Sequence, residues 1–374
     1  MRILTLSYEF PPLGGGGSKV AHGLSAELVR GGHDVDIVTM GFRGVPKEET
    51  IDGARVHRVR CLRRALDVSH AHELASYMPG ALSTASRLCR QNRYDLMHCH
   101  FIMPDGIVAL RLRQRFGLPL VVTAHGSDVP GYNPDRFINM HRIISPAWRA
   151  IVRSIDTIVC PSKYLEDLLL KAEPRANTLT IPNGFDLDRF RADRPKRNSI
   201  LILTRMLERK GVQDVLHAIA GTDVDYELNI VGTGPFLDEL VALDRKLDTN
   251  ANFLGWLDND SDELRQLIEE SAIFAFPSHA ENFPLVLLEA MAGGAAIITT
   301  DQTGCKEVVD SAAIRVPAAD PQALRRAIES LARDPQRRRQ LGREARRRVE
   351  EHFGWPTVAA RYLSTYRDAI ATGT

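Results

Sequence analysis

The chain has 374 residues, 44% of them hydrophobic and 25% charged, with 48 lysines and arginines against 47 aspartates and glutamates. That length calls for about two domains, and the composition is that of a globular protein able to bury a core. A net charge of +1 leaves no electrostatic footprint for nucleic acid, which is excluded as a partner. Five scattered cysteines without Cys-x-x-Cys spacing read as reduced thiols of a cytoplasmic protein, not as a disulfide frame or zinc site. No apolar run approaches the roughly 20 residues of a membrane span, and Met1 runs straight into a strand, so no signal peptide is expected.

Strands alternate with helical periods from end to end, which predicts parallel sheets with crossover helices. In the first half strands are expected at 3–7, 34–39, 96–100, 120–124 and 157–160. The run Gly14-Gly15-Gly16-Gly17 follows the first of them and precedes a helix over about 18–30. Glycines there let a backbone approach a diphosphate, the alternative being a plain flexible turn. A nucleoside-triphosphate loop would need Gly-Lys-Ser/Thr, and the order here is Gly17-Ser18-Lys19. A dinucleotide fold would end its second strand on an acid, whereas this one ends Val38-Thr39-Met40.

His98 and His100 share a strand face. No third metal ligand suggests itself, so they read as core or rim histidines and no metal is assigned. His125 follows the strand over 120–124, with Asp128 close enough to be an orienting partner. The segments 41–50 and 62–79 carry no motif and are expected to be loops shaping an acceptor site.

A linker is expected from Pro182 to Asn198, dividing the chain into two Rossmann-like units, 1–186 and 187–357, with a cleft between them. Trp355-Pro356 interrupts the last helical stretch, and 358–371 is one more amphipathic helix. In the second half strands are expected at 199–204, 227–231, 273–276 and 296–300. Arg205 and Lys210 sit on the loop leaving the first of these, before a helix near Val212. Two cations at the carboxyl end of such a strand occupy the usual ligand crevice, Arg forking two phosphate oxygens and Lys supplying a point charge. The strand over 273–276 ends at Pro277, and Glu281 follows in its loop. Asn282 or Phe283 is the expected N-cap, with Pro284 in the first turn of a helix running from Leu285 through Glu289 to Gly293-Gly294. A free helix N-terminus favours an anion, and a carboxylate on each side accepts hydroxyls. An anion flanked by hydroxyl-rich groups describes a nucleotide sugar. Arg337-Arg338-Arg339 and Arg346-Arg347-Arg348, interspersed with glutamates, read as a solvated helix face.

Arg205…Lys210-Gly211 followed by Glu281…Glu289 resembles the signature of the retaining GT-B glycosyltransferases of family 4. Four further segments agree in order: the first strand with its glycine loop, His125-Gly126, Ile181-Pro-Asn-Gly-Phe-Asp186 and Ile230-Val-Gly232-Thr-Gly234. Two departures stand out. Glu281-Asn282-Phe283-Pro284 replaces the usual Glu-Gly-Phe-Gly, and Thr303-Gly304-Cys305-Lys306-Glu307 replaces Gly-Gly-x-x-Glu.

The resemblance implies two Rossmann-like domains facing each other across a cleft, the final helix, 358–374, packing back on the acceptor-side domain. It implies a retaining hexosyltransferase that needs no cofactor or metal and moves a sugar from a UDP- or GDP-linked donor to a carbohydrate, lipid-linked or small-molecule acceptor. Arg205 and Lys210 would neutralise the diphosphate, helped by Gly15, Gly16 and Gly17. Glu281 would hold sugar hydroxyls and Glu289 the ribose; Gly232 and Trp256 would border the nucleotide, and His125 would touch the donor sugar. Lys210→Ala is then expected to cripple transfer while sparing the fold. Family members that act on lipid-linked acceptors dock this first domain on membranes, which leaves peripheral contact through Arg55, Arg58, Arg60, Arg63 and Arg64 open. A sugar-nucleotide epimerase, a phosphorylase and a non-catalytic nucleotide-sugar sensor stay open as alternatives.

Overall fold

The computed structural model describes residues 1–132 and 145–372. The chain divides into two compact units, Met1–Gly184 with Trp355–Thr374, and Phe185–Gly354.

The first unit holds β1 (Arg2–Ser7), β2 (Asp34–Met40), β3 (Glu48–Ile51), β4 (Ala54–Val59), β5 (Leu96–His100), β6 (Leu120–Thr123), β7 (Thr157–Cys160) and β8 (Thr178–Thr180). They form one sheet in the order β3-β4-β2-β1-β5-β6-β7-β8, parallel except for the β3–β4 pair. Crossover helices cover it: α1 (Gly16–Arg30), α2 (Ala71–Gln91), α3 (Asp105–Phe116), α4 (145–153) and α5 (Lys163–Ala172). Ile3, Leu4 and Leu6 of β1 are wholly buried on both faces, as a parallel sheet clad on two sides requires. Val20, Leu24 and Leu28 repeat at helical spacing along α1 and are buried too. Strand order reverses between β1 and β5, so the loops leaving those two strands diverge.

Two expectations for this unit are corrected. The segments 41–50 and 62–79 are not loops throughout, because β3 and β4 form a hairpin and α2 begins at Ala71. The hairpin turn is Asp52-Gly53, both at positive φ (47° and 82°), the geometry that matches strand twist. The closing helix runs Trp355–Thr372 and starts three residues earlier than expected, since Pro356 falls in its first turn, where no N–H is needed. A side chain on Gly23 or Gly184 would collide with the Trp355 ring. Further along the same helix Tyr366 Oη meets His98 Nδ1 (2.8 Å), Tyr362 Oη meets Thr123 Oγ1 (3.0 Å), and Arg361 donates to the Thr180 carbonyl (2.6 Å).

The second unit contains β9 (Arg197–Leu203), β10 (Glu227–Val231), β11 (Asn252–Gly255), β12 (Ser271–Phe276), β13 (Ala296–Thr300) and β14 (Ile314–Val316). All are parallel, in the order β11-β10-β9-β12-β13-β14. Its helices are α6 (Val212–Ile219), α7 (Leu237–Leu247), α8 (Asp262–Glu270), α9 (Leu285–Ala292), α10 (Thr303–Val309), α11 (Pro321–Arg333) and α12 (Pro335–His352). Every residue of β12 is buried. The chain builds outward from β9 to β11, then returns to β12 on the other side of β9, which puts the reversal between β9 and β12. Among the described residues no helix is long and apolar enough to cross a membrane.

Candidate functional site

Ligands of such sheets settle beyond the carboxyl ends of the strands, where strand order reverses. In the second unit that crevice is formed by the loops after β9 and β12, which carry Arg205, Lys210 and Glu281. Arg205 is exposed, and no carboxylate among the described residues lies within 4 Å of it. Lys210 is buried at the end of a short 3-10 turn, Glu208–Lys210. Gly211 closes that turn at φ 71°, and any side chain there would strike the Pro277 carbonyl. The glycine therefore lets the two loops touch, and His279 N–H donates across to Arg209 O (2.9 Å). A second tie joins His279 Nε2 to Asp214 Oδ2 (2.9 Å).

Lys210 Nζ pairs with Glu281 Oε1, and Ser278 Oγ donates to the same oxygen (2.8 Å). The ammonium also lies 5.9 Å from the centre of the Phe276 ring. The main chain of Glu281 is pinned on both sides, its N–H donating to Thr303 Oγ1 (3.2 Å) and its carbonyl accepting from Gly304 N–H (3.0 Å). A side chain on Gly304 would overlap the Asn282 carbonyl. This accounts for the glycine retained in the unusual Thr303-Gly304 segment. Cys305 lies buried beneath, its thiol pushed up to about 12, first by burial and then by the Glu281 charge.

The helix after Glu281 departs from expectation at its cap. Pro284, extended at φ −75° and ψ 107°, is the N-cap in place of Asn282 or Phe283, and α9 begins at Leu285 without a side-chain cap. Pro fits because an N-cap needs no helical ψ, and its carbonyl accepts from Leu287 N–H (3.1 Å). Phe283 is instead buried edge-on against Phe353 (5.6 Å). Glu289 is half-buried, four residues into α9 from Leu285 and so about 6 Å along its axis. Gly232 and Gly234 brace Arg205 from behind: side chains there would strike the carbonyls of Thr204 and Met206, the residues on either side of it. Met206 N–H reciprocates by donating to Thr233 O (2.9 Å). Trp256 follows edge strand β11 and is 65% exposed, an aromatic face on the rim two strands from β9.

The remaining candidates cluster at the corresponding end of the first unit. Gly15 caps α1, while Gly16 and Gly17 lie in its first turn, two residues earlier than expected. The glycines serve different ends. Gly15 has open space around it, whereas a Cβ on Gly17 would sit 2.6 Å from the Phe101 ring and 3.4 Å from His125. Glu9, which the sequence did not single out, accepts from Gly15 N–H (3.4 Å); burial raises its pKa, with Arg63 nearby acting against this.

His125 Nε2 and His100 Nδ1 share a hydrogen bond (3.1 Å), and His98, on the same face of β5, is held by Tyr366 and by Thr123 Oγ1 (2.9 Å). Burial pushes His98 and His125 down to about 3, and His100 well below its usual range, so all three are neutral at pH 7. Asp128 does not orient the His125 ring. Its Oδ1 accepts the N–H groups of His125 and Gly126 (both 3.0 Å) and its Oδ2 that of Ile102 (2.8 Å), so it fixes the loop backbone. Of the first-unit arginines, Arg58 and Arg63 are buried, and Arg55 pairs with Asp36 (2.7 Å), which leaves a thinner basic patch than the sequence suggests. No group of three or more His, Cys, Asp or Glu among the described residues is placed to hold a metal ion.

Residues 14–189 match the model of Glycosyltransferase Family 4, and residues 185–348 that of Glycosyl transferases group 1. A glycogen synthase of Mycobacterium tuberculosis is 30% identical over 401 residues, covering 98% of this chain and 94% of that one. The chain belongs to glycosyltransferase family 4. Members of that family are retaining hexosyltransferases. The glycosyltransferase also superposes on sucrose-phosphate synthase from Thermosynechococcus elongatus with a TM-score of 0.80, at 24% identity over all of both chains. HepE from Anabaena, solved with UDP-glucose, gives 0.75 at 18% identity over 98% of this chain and all of that one. At such identities these two likenesses show the fold, which is GT-B.

Proposed function

We propose that this glycosyltransferase moves a sugar from a UDP- or GDP-linked donor to a glycan, lipid-linked or small-molecule acceptor, with retention and without a metal. The observation that carries this is the meeting of Lys210 with Glu281 at the strand reversal, with exposed Arg205 on the same loop. A diphosphate leaving group gains charge as the sugar bond breaks, and cations fixed there stabilise the transition state more than the ground state. Arg205 is free to fork two phosphate oxygens, and Lys210 supplies a second positive charge where other enzymes place a metal ion. Glu281 keeps Lys210 aimed, and its second oxygen is available to sugar hydroxyls. Glu289 takes the ribose, and His125 is the neutral candidate for contact with the transferred sugar. The capture of UDP-glucose by HepE on the same fold supports a uridine donor, and the glycogen synthase relative supports a glycan acceptor.

Thermal unfolding with UDP, GDP and ADP, each beside a Glu289→Ala control, tests the donor assignment. A ligand at about a hundred times its dissociation constant adds roughly 2.7 kcal/mol, or several degrees for a unit of this size. UDP or GDP is expected to stabilise the wild type and to act more weakly on the variant. No shift with any of the three removes the main support for a nucleotide-sugar donor.

A further inference from the structure

A second basic site lies in the same unit, at the opposite end of its sheet. A cavity of about 640 Å³ opens beside the amino-terminal ends of the strands, bordered by Lys196 just before β9, Ala272 at the start of β12 and Gly294 just before β13. The Lys210 loop leaves the far end of β9, and six or seven residues of strand, roughly 20 Å, separate the two. One wall is a face of α12. Gly342 is what brings that helix close, because any side chain there would strike the Gly294 carbonyl.

Charge in the cavity is one-sided. Its lining includes seven lysines and arginines and a single acid, Glu350, in a chain whose charges otherwise balance almost one for one. The cations differ in how they are held. Arg346 pairs with Glu350 (2.6 Å) and donates to the Phe190 and Ala292 carbonyls (2.9 and 2.7 Å), and Arg338 donates to Leu331 and Ala332. Arg194 is paired with Glu269 (2.6 Å). Lys196 is tethered to the carbonyls of Glu269 and Gly293 (2.6 and 2.5 Å), and burial lowers its pKa to about 8, a loss that a bound anion would reverse.

Arg339, Arg343 and Arg347 are exposed, and none has a carboxylate within 4 Å among the described residues. They stand four residues apart, so each repels the next along the helix. A solvated helix face usually answers such a row with acids at the same spacing. Around Arg339 and Arg343 the positions three and four away are Pro335, Gln336, Gln340, Gly342, Arg346 and Arg347, with no acid among them. Arg347 does have Glu344, Glu350 and Glu351 at that spacing, but Glu350 is taken by Arg346.

We propose that this cavity is a binding site for a soluble small molecule carrying two or more phosphate groups, separate from the donor site. Guanidinium groups pair with phosphate oxygens two at a time, and three unpaired arginines across a concave wall match several phosphates better than one carboxylate. The volume is that of a pocket for a metabolite-sized ligand, and the concave wall favours a discrete molecule over a flat anionic membrane.

Calorimetric titration with inorganic pyrophosphate and tripolyphosphate tests this in three proteins: wild type, Arg205→Ala, and the triple variant Arg339→Ala/Arg343→Ala/Arg347→Ala. The three arginines are exposed, so the triple variant is expected to fold, which circular dichroism and a cooperative thermal transition would check. A saturable event that persists in Arg205→Ala and weakens at least tenfold in the triple variant is the expected result, with partial recovery when lysines replace the three arginines. Binding that is lost with Arg205 and unaffected by the triple change would mean that only the donor site takes phosphate, and overturns the proposal. Non-saturable, salt-screened uptake would reduce the row to a solvated face. Arginine-dependent sedimentation with phosphatidylglycerol vesicles, without pyrophosphate or tripolyphosphate binding, would assign the surface to a membrane and likewise overturn it.

Discussion

Lys210 and Glu281 have side chains only 9% and 11% exposed, which changes what a single substitution there tests. Lys210→Ala removes the cation and leaves a buried carboxylate with the Ser278 hydroxyl as its remaining side-chain donor. An uncompensated buried charge of that kind costs about 3 kcal/mol, so the variant loses stability along with activity, contrary to the expectation that the fold would be spared. Lys210→Met/Glu281→Gln removes both charges and should regain more than half of that loss in urea unfolding, while transfer stays at least about a hundredfold below wild type. Additive losses in the double variant would mean that the pair contributes nothing as a pair. The positions of Arg205, Lys210 and Glu281 were legible because strand ends fix where a loop begins. Their partners were not: nothing in the spacing says that Lys210 turns to Glu281 while Arg205 stays in solvent, since rotamer and burial decide that.

Elements were legible where hydrophobic runs were long and lost where they were short. β9 and β12 contain the apolar runs Ile200–Leu203 and Ala272–Phe276, and β1 and β5 have five or six residues of mostly buried chain, whereas β8 and β14 have three residues each, too few for any period. The β3–β4 hairpin did carry a signal, Asp52-Gly53 between Thr50-Ile51 and Ala54-Arg55-Val56, and was missed because its strands are short and rich in charges. The glycine run shows how one motif divides between structure and ligand. Gly15→Ala meets no atom within 4 Å and should leave the melting temperature within about a degree. Gly17→Ala drives a methyl into Phe101 and against His125, and should cost about 1–3 kcal/mol, with the His125 ring resonances displaced in NMR spectra. If both are silent, the rings yield freely and the packing role assigned to Gly17 is wrong. If Gly15→Ala alone lowers donor affinity, the run also serves a ligand.

At the scale of the molecule, the two units should respond differently to acid. The first holds three neutral histidines, His98 and His100 buried and His125 half-buried beside them, and the closing helix is anchored to His98 through Tyr366. In the second, none of His217, His279 and His352 is buried. For His98 and His125 the folded pKa, about 3, lies below the unfolded value near 6.5. Above pH 6.5 both states are neutral and the stability is complete. As pH falls from 6.5 towards 3 the unfolded chain takes up protons that the folded unit cannot, and stability is lost throughout that window. Each such histidine costs roughly 2 kcal/mol by pH 5. Asp105, raised to about 8 by burial, runs the other way. It is protonated in the fold and ionised when unfolded between about 4 and 8, so its share is complete at low pH and fades as pH rises. Glu9 and Asp128, also raised by burial, run the same way as Asp105, so three histidines stand against three acids. The expectation is that the histidines prevail and the first unit weakens between pH 6.5 and 5. Hydrogen exchange at pH 7, 6 and 5, corrected for intrinsic rates, should show protection falling in β5, β6 and the closing helix while β9 and β12 hold. His98→Gln keeps a hydrogen-bonding side chain without a titratable ring and should flatten that slope. Equal loss in both units would mean that the histidine cluster does not govern acid stability, and that charge spread over the whole chain does.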